Sequence, residues 1–282
     1  MTQDKAAPAA TSEPPSRNLL VRAIAALVLA PVAIAIAYAG GFLWTLLVTL
    51  AAIGLYVEWL MVIGIGPRLS VTVAGVVALA AAGLCLGAGR LDVSLAVLAI
   101  GLIAIAVISP EQRQWTTAGF CYAAVAEVAS ILLRRDPDEG FVALMFVLLI
   151  VWATDIGGYF AGRGIGGPKL WPRVSPKKTW AGAVGGFVGS LVVAAGFAAF
   201  GLGSVAPLLV LGAVLSVVSQ FGDLFESAVK RRFGVKDSSH LIPGHGGLMD
   251  RLDGFVAAVA VAAIFGFLRG GADGVGRGLM VW

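Results

Sequence analysis

Residues 181–200 read AGAVGGFVGSLVVAAGFAAF and carry no charged side chain. In the hydrocarbon core of a bilayer every backbone N–H and C=O group must be satisfied within the protein, and a helix of about 20 apolar residues does this while spanning the core. The segment therefore predicts a transmembrane helix.

The composition of the whole chain agrees with this prediction. Its 282 residues are 59% hydrophobic and only 13% charged, and the mean hydropathy is +0.94. A soluble domain needs a mixed, charged surface that this composition cannot supply. The apolar runs are continuous rather than alternating, which disfavours a β-barrel. We expect an all-α, polytopic integral membrane helical bundle.

About nine transmembrane helices are predicted from the apolar runs. They are expected near 19–38, 42–63, 70–88, 91–109, 116–133, 141–161, 181–200, 205–226 and 254–270. The Pro- and Ala-rich residues 1–17 are expected to form a disordered cytoplasmic tail. The chain then divides into N-terminal transmembrane helices over 18–115 and a C-terminal catalytic transmembrane region over 116–282.

The positions of Lys and Arg predict the orientation. With a cytoplasmic N-terminus, most of the 20 basic residues fall on the cytoplasmic side. The opposite side then holds only Arg90, Arg134, Arg135, Arg269 and Arg277. This is the positive-inside pattern. Two long polar loops, 162–180 and 227–253, are predicted on the cytoplasmic side, and long polar loops often carry function.

The later loop and the helices that flank it offer oxygen ligands and cations. If the eighth helix continues to residue 232, one region of its surface carries Asp223, Ser227, Lys230 and Arg231. Asp250 and Asp253 are three residues apart and share a face of the next helix. Carboxylates that converge in this way suit a hard cation such as Mg²⁺ together with substrate phosphates.

The same loop contains a glycine-rich turn, PGHGG, at 243–247. Gly246 and Gly247 allow backbone N–H groups to approach an anion closely. The side chains suited to phosphate oxygens are Lys230, Arg231, Lys236, His245 and Arg251. Cations, acids and a glycine-rich turn together favour phosphoryl or nucleotidyl transfer, although His245 could instead cap a turn.

The earlier loop has a similar character. It contains the basic residues Arg163, Lys169, Arg173, Lys177 and Lys178, and the segment SPKKT adds the hydroxyls of Ser175 and Thr179. Asp155 lies at the end of the sixth span, and an acid within an apolar run is a candidate functional residue. We predict that these residues, Arg173 excepted, bind substrate together with Ser227, Gly246, Gly247 and Arg251.

Simpler interpretations remain for several charged residues. Loop lysines and arginines can set topology or touch anionic lipid headgroups. Glu226 is interpreted as a helix pair with Lys230, and Glu58 as an interfacial polar contact. Glu127 could bond within the bundle.

Residues 227–253, SAVKRRFGVKDSSHLIPGHGGLMDRLD, resemble the signature of phosphatidate cytidylyltransferases, also called CDP-diacylglycerol synthases. The resemblance includes WATDIGGYFAGR at 152–163, KLWPRVSPKKTW at 169–180 and GDLFES at 222–227, and it spans about 120–254. One departure is Ala181, because in the family SPKKT is usually followed, one residue on, by Glu-Gly.

The resemblance implies that CTP and phosphatidic acid react to give CDP-diacylglycerol and pyrophosphate, with Mg²⁺ required and K⁺ as a possible second cation. It also implies a homodimer in the cell's inner (plasma) membrane, with an active site open to the cytoplasm and to membrane lipid. Asp223 and Asp250 would be metal ligands, with Asp253 as a further candidate. Asp223, Lys230, Arg231, Lys236, His245, Asp250 and Asp253 are the expected catalytic residues. No nucleic-acid partner is expected.

Two other functions compete with this one. A CDP-alcohol phosphatidyltransferase signature begins DxxDG, as residues 250–254 do, but the following Ala-Arg and the downstream aspartates are missing. A transporter could use Asp155 and Glu127, yet it would place its polar groups near the midplane, often within inverted repeats. Here the polar groups cluster at one face, which favours the enzyme.

Overall fold

The computed structural model describes residues 28–66, 68–239 and 246–282. In chain order the helices and strands are α1 Val28–Ala39, α2 Gly41–Val62, α3 Leu69–Gly87, α4 Leu91–Ile108, α5 Arg113–Arg135, α6 Gly140–Gly164, β1 Lys169–Trp171, β2 Ser175–Thr179, α7 Trp180–Ala199, α8 Val205–Arg232, α9 Met249–Gly270 and α10 Val275–Met280. Among the described residues, 8 helices, α2 to α9, are long and apolar enough to cross a membrane. The predicted all-α polytopic fold is confirmed.

The predicted spans agree closely with these helices, with two informative differences. Helix α8 continues past the apolar run to Arg232, and α9 begins at Met249 rather than at 254. Hydropathy marks where the hydrocarbon begins, whereas a helix continues into the polar region as long as its backbone bonds persist. Asp250 and Asp253 therefore lie on α9. The first predicted span, 19–38, falls partly outside the described residues, and its described part is the shorter α1.

Two apolar cores hold the bundle together, and α5 contributes to both. One contains Phe146 of α6, Leu215 of α8 and Val259 of α9, all fully buried. The other contains Trp59 of α2 and Phe120 of α5. Because α5 packs into both, the N-terminal helices and the C-terminal region form one body.

Helices α6 and α7 pack closely through glycine. A Cβ atom added at Gly186 would lie 2.4 Å from the carbonyl oxygen of Thr154, and one at Gly157 would lie 2.7 Å from that of Gly185. Small residues allow membrane helices to approach backbone to backbone in this way. The close packing brings the C-terminal half of α6, which contains Asp155, next to the start of α7.

The segment predicted as the loop 162–180 contains an antiparallel hairpin. Lys169 of β1 lies opposite Thr179 of β2, and Trp171 lies opposite Ser175. The Thr179 side chain then accepts a hydrogen bond of 3.0 Å from the Gly182 N–H and caps the start of α7. The hairpin is thus anchored directly on a transmembrane helix.

The opposite end of the bundle is closed by α10, which the sequence did not predict. Arg269 of α9 donates a 2.6 Å hydrogen bond to the Gly278 carbonyl, and its guanidinium lies 3.7 Å from the centre of the Trp282 ring. Asp136, just after α5, accepts a 2.9 Å bond from the Arg277 N–H. The polar groups at this end satisfy one another within the chain.

Candidate active site

Both segments predicted as polar loops lie at the same end of the bundle. Lys178 of β2 forms an ion pair with Asp223 of α8, and each side chain is about a quarter exposed, at 28% and 27%. The hairpin before α7 is therefore fixed to α8 at Asp223, one helical turn before the segment 227–253 begins.

A cavity of about 560 Å³ opens where α6, the hairpin, α7 and α8 meet. Its polar lining residues are Thr154, Asp155, Tyr159, Arg163, Lys177, Lys178, Thr179, Gln220 and Asp223. Arg163 donates a 3.1 Å hydrogen bond to the Tyr159 hydroxyl. The lining thus combines cations with carboxylates, an arrangement suited to a phosphorylated substrate.

An apolar groove of about 340 Å³ adjoins this cavity, and both are lined by Leu170, Ala183 and Gln220. The rest of its lining is largely aromatic and aliphatic: Trp171, Trp180, Val184, Phe187, Val217, Phe221 and Leu224. A molecule with a charged head and an apolar tail would match the two compartments.

Four carboxylates gather between the cavity and the start of α9. Asp253 lies within electrostatic range of Asp223 and Asp155, and it faces Glu226 at close range. Like charges held together in a partly buried place repel one another unless cations or shared protons compensate them. The region therefore attracts positive charge.

Lys230 supplies part of that compensation. Its Nζ lies 2.5 Å from Asp250 Oδ1 and 2.9 Å from Glu226 Oε1. Glu226 is fully buried, and Lys230 is 9% exposed. The predicted helix pair of Glu226 with Lys230 is confirmed, and the lysine also joins α8 to α9.

Asp250 organises the turn before α9. Its Oδ2 accepts hydrogen bonds from the backbone N–H groups of Ser238, at 3.0 Å, and Gly247, at 3.1 Å. The Ser238 hydroxyl lies 3.1 Å from the same oxygen. With Lys230 on its other oxygen, the Asp250 carboxylate is surrounded by donors.

Glu58 of α2 is a polar residue whose partners the sequence did not reveal. It is 1% exposed, yet it contacts the turn before α9 rather than lipid or its own helix. A buried acid in a transmembrane helix is itself a signal of a functional site, but its partners lie far along the chain, and no spacing rule could find them.

The remaining predicted residues are more dispersed. The Ser227 hydroxyl lies 3.3 Å from Asp223 Oδ1, in agreement with their predicted shared face, whereas Arg231 donates to the Val235 carbonyl at 3.0 Å. Lys236 and Arg251 are exposed, and Lys169 and Ser175 lie on the hairpin without lining the cavity. His245 lies outside the described residues.

The donor type and the arrangement of the carboxylates indicate whether they suit a metal ion. Asp155, Asp223, Glu226 and Asp253 offer the hard oxygen donors that Mg²⁺ prefers. Within the described ranges, however, no three His, Cys, Asp or Glu side chains are arranged to hold a metal ion. The donor type therefore fits Mg²⁺, and the metal-ligand roles of Asp223, Asp250 and Asp253 stay predictions.

Comparison with known proteins gives a consistent result. The model of the cytidylyltransferase family matches residues 20–268. A phosphatidate cytidylyltransferase of Brucella suis biovar 1 (strain 1330) is 41% identical over 259 residues, covering 88% of this chain and 93% of the relative. Relatives of the same name are 41% identical over 167 residues in Staphylococcus saprophyticus, covering 58% of this chain and 64% of the relative. In Haemophilus influenzae the identity is 43% over 152 residues, covering 50% and 53%.

Proposed function

The chain belongs to the cytidylyltransferase family, and on this premise we propose that it is a phosphatidate cytidylyltransferase. A phosphate oxygen of phosphatidic acid bonds to the α-phosphorus of CTP, the bond from that phosphorus to the bridging oxygen breaks, and pyrophosphate leaves. The product is CDP-diacylglycerol. The observation that carries the proposal is the charged cavity beside an apolar groove, in a chain whose relatives have this activity.

The cavity and the groove fit the lipid substrate. The aromatic groove would hold the start of the acyl chains, while Arg163, Lys177 and Lys178 would bind the lipid phosphate in the cavity. Lys178 would exchange part of its ion pair with Asp223 for that phosphate. The hairpin would therefore contribute to binding phosphatidic acid.

The segment between α8 and α9 would bind CTP. Lys230, Arg231, Lys236 and His245 would neutralise triphosphate oxygens, and the backbone of Gly246 and Gly247 would approach them closely. A phosphate monoester has a second ionisation near pH 6, so the lipid phosphate is already nucleophilic near neutral pH. No side chain is required as a general base. The protein's main contribution is to place the two phosphates in line and to neutralise charge.

We also propose a Mg²⁺ requirement, with K⁺ as a possible second cation. Asp223 and Asp253 would supply oxygen ligands, and Asp250 could join them only by exchanging Lys230 for the ion. A bound divalent cation neutralises phosphate charge and favours the departing pyrophosphate. Lys178 and Lys230 already place positive charge beside these acids.

The charge pattern and the substrates support a proposal for the enzyme's place in the cell. The excess of Lys and Arg at the hairpin end supports an inner (plasma) membrane enzyme whose site faces the cytoplasm, where CTP is found. We further propose that the enzyme is a homodimer. Cross-linking of the membrane-embedded protein followed by sizing would test that assembly.

The reaction is tested with protein purified in detergent, CTP and phosphatidic acid. The proposal predicts CDP-diacylglycerol, whereas diacylglycerol offered as the matched acceptor should give no product because it lacks the phosphate. Formation of no CDP-lipid by folded protein from any phosphatidic acid would contradict the proposal.

A further inference from the structure

The carboxylate of Glu58 accepts four hydrogen bonds from the chain that precedes and begins α9. Its Oε1 accepts from the Ser239 hydroxyl at 2.7 Å and the Leu248 N–H at 2.8 Å. Its Oε2 accepts from the Ser238 hydroxyl at 2.9 Å and the Met249 N–H at 2.8 Å. A carboxylate offers about four acceptor positions, so these contacts use the full capacity of the group.

Two of these bonds cap helix α9. The first backbone N–H groups of a helix have no partner inside the helix, and a side chain at the N-cap normally satisfies one of them. Leu248 is the N-cap of α9 and makes no side-chain cap bond. Glu58, from another transmembrane helix, supplies the missing acceptor, and its negative charge is favourable at a helix N-terminus.

Polar contacts connect the residues bonded to Glu58 with the charged groups of the site. The Ser238 hydroxyl lies 2.9 Å from Glu58 Oε2 and 3.1 Å from Asp250 Oδ2, and Asp250 in turn contacts Lys230 at 2.5 Å. A Cβ atom at Gly247 would lie 2.6 Å from Glu58 Oε2, so only glycine allows this approach. A chain of polar contacts therefore links Glu58 to Lys230, which Glu226 also contacts at 2.9 Å.

We propose that Glu58 is a positioning residue for the nucleotide half of the active site. It fixes Ser238, Ser239 and the start of α9, and through Asp250 it helps to hold Lys230 where CTP phosphates would bind. Glu58 itself is not among the described residues that line the cavity, so it acts through these neighbours. The inference rests on the proposed function, which assigns this segment to CTP.

The test is Glu58→Gln in the full-length protein. Glutamine has one acceptor oxygen and one NH₂ group, so two of the four donors would meet another donor. The hydroxyls can turn, but a backbone N–H cannot, and at least one cap bond is lost. We expect the KM for CTP to rise about tenfold, as loss of a charged hydrogen bond implies, with the KM for phosphatidic acid unchanged. Hydrogen exchange of residues 247–250 should accelerate by a similar factor.

Glu127→Gln is the matched control, because Glu127 is also a fully buried acid in a transmembrane helix but bonds to Thr49, at 2.8 Å. It should leave both KM values and the exchange of 247–250 unchanged. If Glu58→Gln does not fold, Ser239→Ala removes one of the four donors and should shift the same readouts in the same direction by a smaller factor.

Unchanged exchange in Glu58→Gln would overturn the inference, and so would faster exchange with no change in the KM for CTP. Equal changes in the KM values for both substrates would indicate a general structural role and would also overturn it. Wild-type protein that forms no CDP-lipid would instead contradict the proposed function and remove the nucleotide role with it. The hydrogen exchange of residues 247–250 in Glu58→Gln and in Glu127→Gln would then show, independently of activity, whether Glu58 holds the start of α9.

Discussion

Lys230 Nζ lies 2.5 Å from Asp250 Oδ1 and joins the end of α8 to the start of α9. The lysine also contacts Glu226, which is fully buried. Removing the cation from a buried ion pair leaves uncompensated charge and typically costs about 3–5 kcal/mol. Lys230 is therefore expected to stabilise the site through these contacts, in addition to its proposed role in binding phosphate.

Lys230→Met should lower the stability of the protein by about 3 kcal/mol, because Asp250 would lose its cationic partner and the buried Glu226 would lose the Lys230 ammonium beside it. The measurement is the thermal unfolding midpoint in detergent, with Lys169→Met as the control for stability, since Lys169 is exposed. Equal midpoints for the two variants would contradict the structural role of the pair.

Lys178, which forms an ion pair with Asp223, is expected to contribute to the binding of phosphatidic acid. Lys178→Ala is expected to raise the KM for phosphatidic acid by about tenfold to a hundredfold, the range for a lost hydrogen bond to a charged group. Lys178→Arg should restore part of the loss. Steady-state kinetics with each substrate varied in turn would measure this, and a change confined to the KM for CTP would reverse the substrate assignment.

Gly186 should tolerate no side chain. A Cβ atom there would lie 2.4 Å from the Thr154 carbonyl oxygen, whereas one at Gly196, in the same helix, meets nothing within 4 Å. Gly186→Ala should push α7 away from α6 and lower the unfolding midpoint, while Gly196→Ala should leave it equal or higher, because alanine favours a helix. A similar midpoint for both variants would show that the close approach is not required.

Removal of divalent cations should abolish turnover, and Mg²⁺ should restore it. Asp223→Asn and Asp253→Asn should each raise the Mg²⁺ concentration that gives half-maximal activity, because each removes a charged oxygen donor. Titration of Mg²⁺ after treatment with EDTA measures this concentration. Full activity in EDTA would rule out the proposed cation requirement.

The proposed orientation predicts which residues face the cytoplasm. In a variant without Cys85 and Cys121, a cysteine at Arg173 should react with a membrane-impermeant maleimide only in inverted vesicles. A cysteine at Arg90 should react only in spheroplasts. The reverse pattern would place the site on the outer face.

The transmembrane helices could be predicted from the sequence because a run of about 20 residues that is almost entirely apolar has few alternatives in lipid. The sequence predicted that both polar loops lie on one side of the membrane, but it did not predict the ion pair of Lys178 with Asp223, which is a tertiary contact. The hairpin at Lys169–Trp171 and Ser175–Thr179 was not predicted either, because strands this short have too few positions for an alternating pattern. Helix α10 is likewise too short for a periodic signal.

The contacts of Glu58 could not be predicted because they are tertiary. Its charge within an apolar run shows that a partner is needed, but the partners Ser238, Ser239, Leu248 and Met249 lie at the far end of the sequence. The signature at 227–253 marks the segment proposed to bind CTP, whereas Glu58, whose carboxylate bonds to that segment, lies outside the signature.

The position of the radioactive label after turnover tests the central claim most directly. Purified protein would be supplied with phosphatidic acid and CTP labelled either at the α- or at the γ-phosphorus. The account predicts that the α-label appears in CDP-diacylglycerol and the γ-label in pyrophosphate. If γ-label appears in the lipid, or if neither label leaves CTP while the protein is folded and supplied with Mg²⁺, the account is wrong.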